Sequence, residues 1–190
     1  MTGIAPDTKD WTWVLERPCP ECGFDAGAIT AAAVSRLVVE SASAWQAVLA
    51  EAGTPELRSR PSPDRWSTLE YACHVRDVFL LFDARLRLML EADDPTFPNW
   101  DQDATAVADR YNEQEPAVVA KQLGEAAGAF LSSLSELSAD DWSRQGSRSD
   151  GAHFRVESLA RYMIHDPVHH LYDVGRPLRQ ARTTGAGPTD

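Results

Sequence analysis

Apolar residues recur every three or four positions in four long segments of the chain, the spacing that places them on one face of an α-helix. The segments span residues 25–53, 67–92, 104–137 and 156–175, and the third pauses near Pro116. Proline- and glycine-rich connections separate them and limit each helix. The pattern predicts an all-α protein, a four-helix bundle with long connections.

Two local signals refine these helices. Ser67 and Glu70 have the spacing of a capping box, which predicts where the second helix begins. Pro167 lies inside the last helical pattern, so the helix either kinks there or starts anew with Asp166 as its N-cap. The apolar period continues in phase from Leu159 to Leu171, which favours one continuous, kinked helix.

The segments outside the predicted helices suggest three parts. Residues 1–24 form an arm, because prolines and a glycine interrupt any period, and Trp11 and Leu15 are expected to hold it in order against the bundle. Residues 25–178 form the bundle, which suits one domain in a chain of 190 residues. Residues 179–190 form a C-terminal tail with nothing to bury, expected to be disordered or extended.

The charge of the chain limits its partners. A formal net charge of −11 argues against nucleic acid and against a membrane surface, since both bind basic patches. The N-terminus lacks the features of a secretory signal, and no window is apolar enough to span a bilayer, so a cytoplasmic location is expected. The expected partner is a small-molecule substrate, and the sequence leaves homodimer formation open.

Histidines form the most informative constellation. His165 and His169 lie four residues apart in the last helix, so both imidazoles leave the same face, and antiparallel packing could bring His74 of the second helix opposite them. Three imidazoles suit a transition metal and leave coordination positions open. His170 points about 100° away from His169 and is the poorer candidate. The alternative is two surface histidines and one hydrogen-bonded core histidine.

The cysteines offer a second, weaker metal signal. Cys19 and Cys22 supply half of a zinc-ribbon ligand set, and no second C-x-x-C completes it. Completion by His153 or by a second subunit is one alternative, and an arm with two reduced thiols is the favoured one. Cys73 adjoins His74 in sequence but is predicted to be a small core residue, not a nucleophile.

Several further residues allow a functional and a structural interpretation. Asp77 and Asp173 each follow a histidine by one turn and could orient an imidazole, or could be solvated helix acids. Trp100 and Asp101 could border a pocket mouth, or could be an anchor and an N-cap. The polar connection at residues 140–154 is compatible with a long loop or a short hairpin.

The stretch WSTLEYACHVRDVF, with His74 in its second turn, followed by the H-x-x-x-H of HDPVHH, resembles the DinB-like superfamily. That family includes mycothiol-dependent maleylpyruvate isomerase and bacillithiol transferases. The resemblance implies a four-helix bundle holding a divalent metal, commonly zinc or nickel, with one ligand on the second helix and two on the last. Carried over by position, the metal ligands would be His74, His165 and His169.

The resemblance also implies chemistry. Several family members use the metal to bind a low-molecular-weight thiol such as mycothiol, which attacks an electrophile. The expected function is therefore a metal-dependent thiol transferase or isomerase acting on small electrophiles. The alternatives are a metal-binding stress protein without catalysis and a metal-assisted hydrolase. The C-P-E-C arm and Pro167 depart from the family pattern.

Overall fold

A computed structural model describes residues 10–178; residues 1–9 and 179–190, which include the predicted C-terminal tail, lie outside the described residues. The helices are α1 Ala31–Glu51, α2 Thr54–Leu57, α3 Thr68–Glu91, α4 Gln102–Ala108, α5 Pro116–Ser135 and α6 Val156–Asp173. The strands are β1 Thr96–Phe97, β2 Gln145–Arg148 and β3 His153–Arg155. Within residues 10–178, no helix has the length and apolar character needed to cross a membrane.

The four long helices form the bundle. Both α1 and α3 pack against α5 and against α6, so the order around the bundle is α1, α5, α3, α6. Trp45, Phe79, Leu123 and Met163 contribute fully buried side chains from the four helices to one core. The predicted four-helix bundle is confirmed, and the third segment divides into α4 and α5 as expected.

The start of α3 follows the predicted capping box. The Ser67 side chain accepts a hydrogen bond from the Glu70 backbone N–H, and the Glu70 carboxylate accepts one from the Ser67 N–H at 2.8 Å. Arg60 pairs with the same carboxylate. These contacts fix the first turn of α3 and hold His74, one turn further on, fully inside the protein.

Helix α6 is continuous through Pro167, as its apolar period predicts. Trp45 of α1 donates its indole N–H to the Pro167 carbonyl at 3.1 Å, which ties the two helices together at this point. Because successive residues of a helix are rotated by about 100°, α6 carries two separate pairs of polar residues on neighbouring faces.

A small sheet lies beside the bundle. Strands β2 and β3 form an antiparallel hairpin, and β1 pairs with β2 in parallel, so the polar connection is a hairpin and not a long loop. Gly146 lies so close to α3 that a Cβ there would be 2.8 Å from Cγ of Met89. The Arg144 side chain donates to the Met89 and Ala92 carbonyls and fastens the hairpin to the end of α3.

The N-terminal arm, residues 10–24, is ordered. Its first part, Trp11–Leu15, is a 3-10 helix that packs against α6. Asp10 caps this helix by accepting from the Thr12 backbone N–H at 2.9 Å. Cys19 and Phe24 are buried against the bundle, so the arm is part of the core.

Candidate functional site

Two groups of metal-ligating side chains converge among the described residues, each with its ligand atoms within 4.8 Å of one another. We call them the HDH cluster, formed by His74, Asp166 and His170, and the CCHH cluster, formed by Cys19, Cys22, His165 and His169. The predicted trio is therefore divided: His74 belongs to the first cluster, and the two α6 histidines belong to the second.

The rotation of α6 explains this division. Asp166 and His170 face α3 and reach His74, whereas His165 and His169 lie one position earlier and face the arm. The sequence HDPVHH contains two i, i+4 pairs in adjacent registers, and spacing alone does not show which pair faces the second helix. His170, the poorer candidate by sequence, thus lies beside His74, and Asp166 was missed although carboxylates are ordinary metal ligands.

The HDH cluster has distances compatible with a bound cation. Nε2 of His74 is 3.2 Å from Oδ2 of Asp166, and Nε2 of His170 is 3.7 Å from Oδ1 of Asp166. Ligands about 2.1 Å from one metal ion are about 3.0–3.4 Å apart, so the first pair fits and the second needs a small adjustment.

One polar atom of the HDH cluster suits a bound cation. Oδ1 of Asp166 is buried without a hydrogen-bond partner. Buried polar atoms are nearly always paired, and an unpaired one points to a water or ion that completes the site. The donor set of two imidazoles and one carboxylate fits a divalent transition metal.

Asp173 orients one imidazole of the HDH cluster. Nδ1 of His170 donates to the Asp173 carboxylate at 2.8 Å, which leaves the Nε2 lone pair directed at Asp166 and His74. Such a carboxylate partner fixes the tautomer of a metal-binding histidine. Asp77 instead accepts hydrogen bonds from the Tyr111 hydroxyl and from Arg76, and it has a structural role.

Burial and neighbouring groups control protonation on α6. Burial, and then His169, lower the pKa of His165 to about 4, and burial followed by His170 lowers the pKa of His169. Burial alone favours the neutral form of Asp166, but the facing His74 and His170 outweigh it and hold the pKa of Asp166 below its usual value. At neutral pH the imidazoles of His165 and His169 are therefore uncharged and can donate lone pairs to a metal ion, and Asp166 is ionised.

Aromatic rings enclose the HDH cluster. The Trp100 ring stacks on His74 with centroids 5.1 Å apart, and Trp66 contacts the same imidazole at 5.2 Å. The Trp100 indole donates to Thr105 at 2.8 Å, and Asp101 caps α4. Both interpretations of this loop therefore apply: Trp100 is an anchor and also lines the neighbouring cavity.

A cavity of about 110 Å³ lies beside both clusters, with Asp166 and His170 in its wall. Two guanidinium groups, of Arg85 and Arg148, line the same space. Nε of Arg85 is buried without a hydrogen-bond partner, and burial, followed by Arg148, lowers the pKa of Arg85 to about 10. The cavity therefore has a metal-ligating wall and a cationic wall.

The CCHH cluster joins the arm to α6. Sγ of Cys19 is 3.6 Å from Nδ1 of His169, and Sγ of Cys22 is 3.7 Å from Nε2 of His165. His153 is not the partner of the cysteines, because it lies on β3 and pairs with the Ser147 hydroxyl at 2.8 Å. The sequence does contain a signal for this pairing. A C-x-x-C motif supplies two of the four ligands of a structural zinc site, and an H-x-x-x-H motif can supply the other two.

Cys73 lies outside both clusters. It is fully buried, and its thiol contacts the Tyr111 carbonyl at 3.7 Å. Burial raises the pKa of the Cys73 thiol to about 12, which makes it a poor nucleophile. This agrees with its predicted place in the core.

Solved structures with the same fold include two proteins of interest. YfiT from Bacillus subtilis superposes with a TM-score of 0.70 at 16% identity, over 78% of this chain and 88% of YfiT. The mycothiol-dependent maleylpyruvate isomerase superposes with a TM-score of 0.64 at 12% identity, over 79% of this chain and 62% of the isomerase. At these identities the likeness concerns the fold.

Sequence comparison identifies the family. No curated protein sequence gives a significant match to the chain. The sequence profile of the DinB superfamily matches residues 37–174, which include α3, α6 and the whole HDH cluster. This match covers well over half of the chain, so the protein is a member of the DinB superfamily.

Proposed function

We propose that the protein is a divalent-metal-dependent enzyme whose reaction centre is the HDH cluster. The observation that carries this proposal is the convergence of three ligands, the buried His74 with Asp166 and His170, of which the latter two line a cavity. Catalytic metal sites use three protein ligands and keep a position open for water or substrate, whereas structural sites are closed by four. Of the two clusters, the HDH cluster has the catalytic pattern.

Zinc or nickel is the proposed metal, because both accept imidazole and carboxylate ligands. A bound divalent ion would supply Lewis acidity and lower the pKa of a thiol or water at the open position. The protein's own groups prepare the site. Asp173 holds the His170 ring in the required tautomer, and Trp100 and Trp66 keep the His74 ring in place and exclude water around it.

The proposed reaction is attack by a low-molecular-weight thiol of the mycothiol type on a small electrophile. The thiol loses its proton, a new S–C bond forms, and either a leaving group departs with the bonding electrons or the adduct rearranges and releases the thiol. Support comes from the shared fold with an isomerase that depends on mycothiol. A transferase and an isomerase differ only in the fate of this adduct.

Hydrolysis is a second candidate at the same centre. YfiT, which has the same fold, is described as a probable metal-dependent hydrolase. Water instead of a thiol would then take the open position. A metal-binding stress protein without turnover is the remaining alternative.

The cationic wall narrows the substrate class. Arg85 and Arg148 face one cavity, and the Arg85 guanidinium has an unpaired buried N–H. Arg148 already pairs with the Asp150 carboxylate at 2.9 Å, so Arg85 is the group of this wall that an anion would stabilise. Guanidinium groups match carboxylates especially well. We infer that the substrate carries a carboxylate or a similar anionic group.

The test is thiol consumption by the protein loaded with Zn²⁺ or Ni²⁺, using a panel of small electrophiles that carry a carboxylate. We expect the His170→Ala variant to lose activity by more than about 100-fold, since even residues that only support a metal ligand contribute about 10–100-fold. His153→Ala, an exposed histidine outside both clusters, is the matched control and should keep full activity.

The outcomes separate the candidates. Turnover that needs no thiol but still needs His170 identifies a hydrolase. Equal rates for the wild type and His170→Ala with every substrate contradict catalysis at the HDH cluster. The cytoplasmic location, the small-molecule partner and the lack of nucleic-acid and membrane partners stay predictions of the sequence.

A further inference from the structure

We propose that the CCHH cluster binds a structural zinc ion that fastens the N-terminal arm to α6. Two thiols and two imidazoles are the ligand set of closed, tetrahedral zinc sites. The two halves come from opposite ends of the described chain, and they meet only because the arm folds back onto α6. This site is separate from the HDH cluster and does not depend on the proposed reaction.

The distances agree with a shared zinc ion. With a Zn–S bond of about 2.3 Å and a Zn–N bond of about 2.05 Å, a tetrahedral angle separates sulfur from nitrogen by about 3.6 Å. The two measured separations are 3.6 Å for Cys19 to His169 and 3.7 Å for Cys22 to His165. These two distances match a tetrahedral zinc ion, and all four ligand atoms lie within 4.8 Å of one another.

The local backbone of the arm presents both thiols on one side. The Cys19 N–H donates to the Phe24 carbonyl at 2.7 Å, and the Gly23 N–H donates to the Cys19 carbonyl at 2.9 Å, which closes a tight turn around Cys22. Gly23 adopts a φ of 74°, a left-handed conformation that favours glycine. The C-P-E-C-G sequence is thus suited to this turn.

Most of the site is buried. Cys19, His165 and His169 are each at most 5% exposed, and Cys22 is half-buried. The Trp11 ring lies 5.7 Å from the His165 ring and 5.2 Å from the His169 ring, and Phe24 covers His165 from another side. His165 and His169 also line the cavity beside the HDH cluster. Four protein ligands complete a tetrahedral zinc ion and leave no position for a reactant, so the inferred role is structural.

Carboxylates lie behind one ligand. Nε2 of His169 is 3.8 Å from the Glu21 carboxylate and 3.7 Å from the Asp173 carboxylate, on the side of the ring away from Cys19. In many zinc sites the second ring nitrogen of a metal-binding histidine donates to a carboxylate, which fixes the orientation of the ring. Glu21 and Asp173 are placed for this role. Asp173 therefore lies between the two clusters, next to both His169 and His170.

The inferred zinc ion also affects the cavity. Trp11, held by the arm, forms part of the cavity wall together with Asp166 and His170. Loss of zinc would weaken the attachment of the arm to α6 and loosen this wall. The CCHH cluster thus keeps the reaction cavity in shape without taking part in the chemistry.

Cobalt substitution tests the proposal, because Co²⁺ bound by thiolates gives a ligand-to-metal charge-transfer band that nitrogen and oxygen ligands do not give. The full chain, stripped of metal and titrated with Co²⁺ alone, should show this band. Cys22→Ala should reduce the band by half or more, and the double variant Cys19→Ala, Cys22→Ala should abolish it and lower the zinc content by one equivalent. Cys73→Ala, the matched thiol deletion, and His74→Ala, a deletion in the HDH cluster, should both retain it.

A second measurement uses the wild type and does not rely on the folding of a variant. Chelation should make two additional thiols reactive toward a thiol reagent, while buried Cys73 stays protected. It should also accelerate cleavage after Glu16 and Glu21 by a glutamate-specific protease, and added Zn²⁺ should reverse both effects.

Two results would overturn the proposal. One is a cobalt complex of the wild type without a thiolate band. The other is arm cleavage and thiol reactivity that are the same with and without chelator. Because the thiolate band reports only on the cysteines, a failed assay for catalysis at the HDH cluster would leave this result unaffected.

Discussion

Asp166 and His165 are neighbours in sequence, yet they belong to different chemical environments. Asp166 contacts His74 at 3.2 Å, whereas His165 contacts Cys22 at 3.7 Å and is covered by Trp11 and Phe24. A shift of one residue on a helix turns the side chain by about 100°, which is enough to place the two residues in different ligand clusters.

At the residue scale, Arg85 is predicted to bind the anionic group of the substrate. Replacing it in Arg85→Met keeps most of the side-chain volume and removes the charge. We expect KM for carboxylate substrates to rise by about 10–100-fold with a smaller change in kcat, since a hydrogen bond to a charged group contributes about 1.5–3 kcal/mol. Steady-state kinetics of the metal-loaded protein measure this effect.

The control for Arg85 is Arg87→Met, on the same helix. Arg87 is exposed and pairs with Asp83 at 2.9 Å, away from the cavity. Its KM should match that of the wild type. An unchanged KM in Arg85→Met as well would exclude an anion-binding role for the cationic wall.

His165 should give the metal-free protein a pH-dependent stability. Its pKa is about 4 in the fold and about 6.5 in the unfolded chain. Between these values the unfolded chain binds more protons, so the free energy of unfolding should fall as the pH falls from about 6.5 to 4. The difference between these two pKa values corresponds to about 3 kcal/mol for this residue.

Urea unfolding after chelator treatment, at pH 7.5 and at pH 4.5, measures this effect. The variant His165→Gln should lose a large part of the decrease, because glutamine does not titrate. His153→Gln is the control and should keep it. A decrease of the same size in His165→Gln and the wild type would assign the effect to other groups.

At the element scale, the helices follow from the sequence because their causes are local. The capping box predicts the first turn of α3, and a period that stays in phase predicts that α6 crosses Pro167. The 3-10 helix of the arm and the pairing of β1 with β2 depend on contacts distant in sequence, which a local pattern does not encode.

Two glycines test the packing of these elements in opposite directions. Gly146→Ala should destabilise the protein by about 1–3 kcal/mol, because the new Cβ would meet Met89 at 2.8 Å and Phe97 at 3.2 Å. Gly128→Ala, in α5 with open space around its Cα, should stabilise it by about 0.5–1 kcal/mol.

Chemical denaturation of both glycine variants measures the two shifts. Both variants replace glycine by alanine. The change in the free energy of unfolding therefore reports close contact at position 146 and helix preference at position 128. An equally stable Gly146→Ala would show that the hairpin does not pack against α3 as closely as described.

At the scale of the whole molecule, the candidate site was partly predictable. The sequence predicts that histidines on α3 and α6 bind the metal. His74 is a ligand candidate both by sequence and in the structure. The rotation of α6 does not follow, because it results from packing against α1, α3 and the arm together. In this orientation of α6, Asp166 and His170 point toward His74, and His165 and His169 point toward the two cysteines of the arm.

Helix α6 is expected to hold ligands of two metal sites on adjacent faces. An anomalous difference map, from crystals of the metal-loaded full chain measured at the absorption edge of zinc, would locate both ions. We expect two peaks, one bonded to His74, Asp166 and His170, and one bonded to the two thiols and two imidazoles of the CCHH cluster. A single peak bonded to His74 together with His165 and His169 would show instead that the three histidines share one ion.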